Sequence, residues 1–190
     1  VRINPVNGPL GVQVVVQVEP FPTLSRVELD PVSEELPEAV VEEIFSPDYG
    51  RTLNLNDLQK RMKDLQAWYA GQGYSLARIS GPERVSPEGV VTLKLVQGSV
   101  AGVEVEFLNS EGTSTDENGD PIRGKTKEWV ITREISVQPG DTFNRNKLEK
   151  DIKRLYGTQL FSDVKVTLKP VPEQPGDVVI VLGIVEQSTG

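Results

Sequence analysis

Oxygen-bearing side chains at alternate positions are the first chemistry this sequence offers. The stretch DENGD places Asp116, Asn118 and Asp120 two residues apart, the spacing of the first ligands in a calcium loop. Such a loop also needs glycine at its sixth position and glutamate at its twelfth, where this chain has Pro121 and Lys127. The stretch, Glu117 included, therefore reads as a mobile, solvated loop, with contact to a partner as the second reading. The helix-like KLEKDIKR at 147–154 is basic but interrupted by Glu149 and Asp151, as on a solvated face rather than a phosphate site. GPLG at 8–11 has the G-x-x-G form of a KH loop, yet it joins two strand-like segments without basic neighbours. Cysteine and histidine are both absent, which removes disulfides, thiol nucleophiles, zinc–thiolate sites and Ser-His-Asp catalysis. No pair of carboxylates is set apart by an apolar surrounding suited to acid–base work. A formal net charge of −8 argues against nucleic acid, whose phosphates call for clustered Lys and Arg. No catalytic residue, metal or cofactor is expected.

What remains is the main chain and the elements that present it. With 37% hydrophobic and 25% charged residues in 190, the chain can bury a core. Its longest apolar-rich run, 177–187, falls short of the roughly 20 residues that span a bilayer. TLNLNDLQKRMKDL at 52–65 and TFNRNKLEKDIKRL at 142–155 align at an offset of 90, pairing Asn54 with Asn144, Leu58 with Leu148 and Leu65 with Leu155. The corners that follow, YAGQGYSLARI from Tyr69 and YGTQLFSDVKV from Tyr156, align at 87. RVEL at 26–29 meets GVEV at 102–105 at 76, so the second copy gains fourteen residues (90 less 76), placed within 109–125. The chain is a tandem repeat.

Periodicity supplies the elements. Residues 26–29 form a short strand. Leu36, Val40, Val41, Ile44 and Phe45 recur at helical spacing before Pro47. Asn54 is the expected N-cap of a second helix, with Leu58, Met62, Leu65 and Tyr69 as one buried stripe. Two strands follow, 74–80 and 90–96, joined through a turn region with Gly81, Pro82, Pro87 and Gly89. The second copy places helices near 127–136 and 145–156. The expected fold is α+β: tandem β-α-α-β-β repeats, each a three-stranded mixed sheet with two helices on one face. Residues 1–24 look like the closing hairpin of an earlier, truncated copy, expected to fray or to pack on residue 25 onward. Complete copies span 25–98 and 99–190. The glycines let the chain turn sharply at each corner, where Tyr69 and Tyr74, or Tyr156 and Phe161, can seal helix against sheet.

The pattern Y-x-x-Q-x-[YF]-x-x-x-x-[VI], at 69–79 and 156–166 within a β-α-α-β-β order, resembles the POTRA (polypeptide-transport-associated) domain, over the whole chain. The resemblance implies the periplasmic side of an outer membrane, or the equivalent face of a chloroplast outer envelope. There such repeats precede a membrane β-barrel, absent here, and handle unfolded outer-membrane or translocating polypeptides and accessory assembly proteins. It also implies that the last strand of each copy lies mid-sheet and the strand after the corner at an edge. An edge strand can pair with an extended segment of another chain through unpaired N–H and C=O groups. The segments so implied are Ser75, Leu76, Ala77, Arg78 and Ile79, and Val164, Lys165, Val166, Thr167 and Leu168. A groove lined by Met62, Gln66 and Tyr69 is a second candidate, though core packing suits its apolar members better. Two-partner secretion transporters carry the same domain, usually as two copies, and are the alternative; a ligand-binding α+β repeat protein is another. The short junctions 19–25 and 96–102 predict a restricted angle between copies, with any hinge between Gly98 and Gly102.

Overall fold

The computed structural model describes residues 2–8, 11–17 and 20–188. Strands β1 (Arg2–Gly8) and β2 (Gly11–Gln17) pair antiparallel, from Arg2 opposite Gln17 to Gly8 opposite Gly11. The turn between them, and the expected fraying or packing of this hairpin, lie outside the described residues. The elements that follow are β3 (Arg26–Asp30), α1 (Glu38–Phe45), α2 (Leu55–Gly71), β4 (Arg78–Val85) and β5 (Val90–Val96). The second copy holds β6 (Val100–Phe107), α3 (Glu128–Thr132), α4 (Arg145–Gly157), β7 (Phe161–Pro170) and β8 (Val178–Glu186). The expected α+β order is present in both copies. By contacts the chain divides into two compact units, residues 1–63 with 80–94 and residues 64–79 with 95–190.

Each copy builds a three-stranded sheet, ordered β3-β5-β4 and β6-β8-β7. β3 runs parallel to β5, and β6 parallel to β8, while β7 runs antiparallel to β8. The central strands bury alternate residues, Val91, Leu93 and Leu95 in one and Ile180, Leu182 and Ile184 in the other, as the two-residue period of a strand requires. Gly81 and Pro82 lie inside β4 rather than in the turn expected there. The turn is confined to Ser86–Gly89, closed by Ser86 N–H to Val90 O and Gly89 N–H to Ser86 O. An edge strand tolerates a proline that a central one would not.

The helices start as expected. Asn54 Oδ1 accepts from the N–H groups of Asn56 and Asp57, and Asn144 Oδ1 from those of Asn146 and Lys147. Leu58, Met62, Leu65 and Tyr69 are all buried. Full burial of such side chains is worth roughly 1.5–3 kcal/mol each, well above the ~0.7 kcal/mol span of ordinary helix propensities, so packing rather than propensity holds α2. α4 has 13 residues against 17 in α2. The shift of the repeat offset from 90 to 87 thus falls at the C-terminal end of this helix. By helix phase Tyr156 stands where Gln66 stands, not where Tyr69 does. Accordingly Tyr69 is fully buried and Tyr156 is 41% exposed, so Phe161 seals the second corner without Tyr156.

α3 ends at Thr132, not near 136. The cause is Asp151, a fully buried carboxylate on α4. It accepts from Ser136 N–H at 3.0 Å, Ser136 Oγ at 2.8 Å and Val137 N–H at 3.3 Å, and pairs with Arg154. Those bonds hold 136–137 out of the helix and turn Val137 into the core. At the same repeat position the first copy has Arg61, which grips Asp48 through two hydrogen bonds of 3.0 and 3.2 Å. Asp151→Ala strands two main-chain donors, and urea denaturation should show a loss of about 3 kcal/mol. Arg61→Ala, at a partly exposed pair, should cost about 1 kcal/mol or less.

Candidate functional site

β4 and β7 both lie at sheet edges, as do β3 and β6. On β8, Ile184 O accepts from Leu108 N–H at 2.7 Å, so its main-chain groups face away from β7. Alternation gives Leu182 and Ile180 the same sense. Their partners across the β7–β8 pair are Val164, Val166 and Leu168, whose N–H and C=O groups therefore point out of the sheet. Val164 N–H confirms that direction by donating to Tyr156 Oη at 3.0 Å, and Tyr156 donates in turn to Asp163 Oδ1 at 3.1 Å. Lys165 and Thr167 spend their main-chain groups on β8. The five residues 164–168 thus divide: Val166 and Leu168 turn their main-chain groups outward with no partner among the described residues, beside the exposed apolar surfaces of Tyr156, Leu160 and Val166.

The first-copy segment is placed differently from expectation. β4 begins at Arg78, so only Arg78 and Ile79 of the five lie in the edge strand. Ser75 and Leu76 sit in a turn and Ala77 precedes the strand, because Ser75 N–H bonds Gly73 O and Ala77 N–H bonds Tyr74 O. Within the unit of 64–79 and 95–190, Leu76 packs against the core around Val100 and Ile180. Ala77 is fully buried. Its carbonyl accepts from Gln66 Nε2 and from Arg78 Nη1, while Ile79 N–H donates to Gln66 Oε1 at 3.2 Å. Of the groove residues, Met62 and Tyr69 are core, and Gln66 reaches the edge. The residues around the expected hinge also separate. Gly98 has φ +84° and its carbonyl accepts from Phe143 N–H. Gly102 is paired with Val179 inside β6, next to a register shift between Val100 and Gly102.

The insertion is folded on itself. Asp116 Oδ1 accepts from Asn118 N–H at 2.9 Å and Asp120 N–H at 3.0 Å, and Thr115 bridges to Pro121. Asn109 makes the same kind of turn with Glu111 and Thr113. Asp116, Glu117, Asn118 and Asp120 are all exposed, and among the described residues no cluster of acidic or other ligand side chains is placed to hold a metal. The loop exit is fastened to β8 by Glu186, whose carboxylate accepts from Lys125 N–H, Thr126 N–H and Thr126 Oγ1 at 2.8–3.1 Å. Beside β3 and α1 lies an open cleft of about 520 Å³ lined by Val27, Leu29, Val32, Leu36 and Val41, with Glu28, Glu38 and Glu42 on its rim. Sequence reasoning had no signal for the roles of Glu186 or Asp151; for Gln66 its place on the groove side of α2 was the signal.

Residues 23–98 match the family described as "POTRA domain, ShlB-type", and residues 121–187 that described as "Surface antigen variable number repeat" (POTRA). A solved structure described as POTRA1-3 of the periplasmic domain of Omp85 from Anabaena is 45% identical, with a TM-score of 0.87 over 99% of this chain and 75% of that one. The N-terminal domain of Omp85 from the cyanobacterium Thermosynechococcus elongatus is 37% identical, with a TM-score of 0.76 over 99% of this chain and 76% of that one. "Outer envelope protein 80, chloroplastic" of Oryza sativa subsp. japonica is 23% identical over 95% of this chain and 26% of its own length. The chain belongs to the POTRA family, in the tandem form seen in the similar periplasmic domain of Omp85 from Anabaena. It spans about a quarter of the length of the curated relatives it matches first.

Burial pushes the Glu186 carboxyl up, but the hydrogen bonds from Lys125 and Thr126 outweigh it and hold the group below its ordinary value of 4.5. A depressed carboxyl stabilises the fold above its unfolded pKa, and that contribution is lost as pH falls through the lower folded value. The Lys125 and Thr126 amide shifts should therefore move together with a midpoint below 4.5; in Glu186→Gln that step should vanish from an NMR pH titration.

Proposed function

We propose that this region is a non-enzymatic, periplasmic scaffold of an Omp85-type outer-membrane assembly or translocation protein, or its chloroplast-envelope equivalent, and that it receives unfolded polypeptide by strand addition at β7. The observation that carries the reading is the row of outward main-chain groups at Val166 and Leu168, flanked by apolar side chains left exposed at Tyr156, Leu160 and Val166. Main-chain bonds bind any extended segment without reading its sequence, while alternate side chains of that segment meet the apolar rim. Such tolerance suits a scaffold that meets many barrel strands. A membrane β-barrel following these repeats and accessory assembly proteins belong to the same reading, with the exposed insertion residues 116–120 as a docking contact. A two-partner secretion role predicts instead that a single exported partner binds.

Val166→Pro separates edge from fold. It removes the outward N–H but no bond to β8, and an edge position accepts proline. In backbone NMR shift mapping with an extended, aromatic-rich peptide patterned on an outer-membrane barrel strand, wild-type shifts should concentrate on 164–168. Affinity should fall at least about tenfold in Val166→Pro, the scale of losing one or two main-chain bonds. Shifts confined to 109–125, or none at millimolar peptide, would overturn strand addition. Tight binding of one strand sequence and rejection of unrelated ones would favour the secretion reading.

A further inference from the structure

We propose that Gln66 is a built-in strand mimic that closes the β4 edge and restricts polypeptide capture to β7, an inference that rests on the strand-addition reading above. In a parallel strand pair, one residue of the added strand donates its N–H to the carbonyl preceding a given residue and accepts the N–H following it. The Gln66 carboxamide makes that pair of bonds around Arg78. Its Nε2 donates to Ala77 O and its Oε1 accepts from Ile79 N–H. Gln59 stands seven residues earlier on the same helix face, and its Nε2 donates to Gly81 O at 3.2 Å. These side-chain amides therefore take three of the main-chain groups that an arriving strand would need, the Ala77 and Gly81 carbonyls and the Ile79 N–H. Because α2 carries them in the same chain, they compete at a high effective concentration against any free segment.

The second copy lacks this device at both positions. By the helix offset of 90, Tyr156 replaces Gln66 and Glu149 replaces Gln59. Glu149 has no N–H to donate and pairs with Arg145 on its own helix. Tyr156 takes the Val164 N–H, but gives its proton to the Asp163 side chain rather than to a carbonyl. A hydroxyl fills one edge position where a carboxamide fills two. One copy thus meets three edge groups from within, while in the other, among the described residues, no side chain meets the main-chain groups of Val166 or Leu168.

The test compares wild type with Gln66→Ala and the shorter Gln66→Asn in the full 190-residue chain. Without peptide, Ile79 amide exchange should rise about tenfold in both variants as its acceptor is lost; unchanged exchange overturns the latch whatever the peptide does. With the barrel-strand peptide, the variants should gain a second set of shifts on 78–83 while keeping those on 164–168. Binding at β7 with no gain at β4 overturns the latch and leaves the strand-addition reading intact. No binding in any of the three proteins overturns both.

Discussion

The architecture of each copy follows from how main-chain hydrogen bonds are used by its central strand. β5 and β8 have a strand on either side and their alternate side chains buried, so their main-chain groups are spent largely within the sheet. Unpaired capacity is pushed to the outer strands, where an edge must be covered, bonded by side chains or left to pair. The helix that packs beside the edge decides among these outcomes. Gln59 and Gln66 of α2 and Tyr156 of α4 are the side chains that meet main-chain groups of these edges.

The copies share this frame and differ in a few positions of one helix. Gln66 and Tyr156 occupy the same helical position, yet one answers two main-chain groups and the other answers one. Arg61 and Asp151 form a similar pair: the first holds Asp48 at a partly exposed site, the second is buried and organises 136–137. A buried carboxylate is costly unless its oxygens are filled, and here Ser136, Val137 and Arg154 fill them. The two copies thus share apolar packing and differ in their polar contacts.

The corner that occurs twice also serves two purposes. In the first copy Tyr69 is enclosed, its ring edge-on to Tyr74 at 6.0 Å, while Leu76 packs on the core around Val100 and Ile180. In the second, a helix four residues shorter ends before a tyrosine can enter the core, and Phe161 fills that place alone. Glu186 adds a constraint peculiar to the second copy, fastening the exit of the long insertion to the central strand β8.

Apolar periodicity and repetition made much of the fold legible from the sequence: the element order, the buried stripe of α2, both asparagine caps and the place of the insertion. These are local or periodic properties, carried by residues a few positions apart. The mid-sheet position of the last strand came from family resemblance. The site was legible only as a pair of strand segments. Sequence did not reveal that Ser75–Ala77 turn before the strand begins, that Gly102 is paired inside β6, or that Asp151 ends α3 early. Nor did it show which edge groups a helix side chain meets. That depends on whether a side chain thirteen residues away along the chain reaches the strand with a donor and an acceptor at hydrogen-bond distance. Composition and spacing carry no such geometry, and only the packing of α2 and α4 beside their strands decides it.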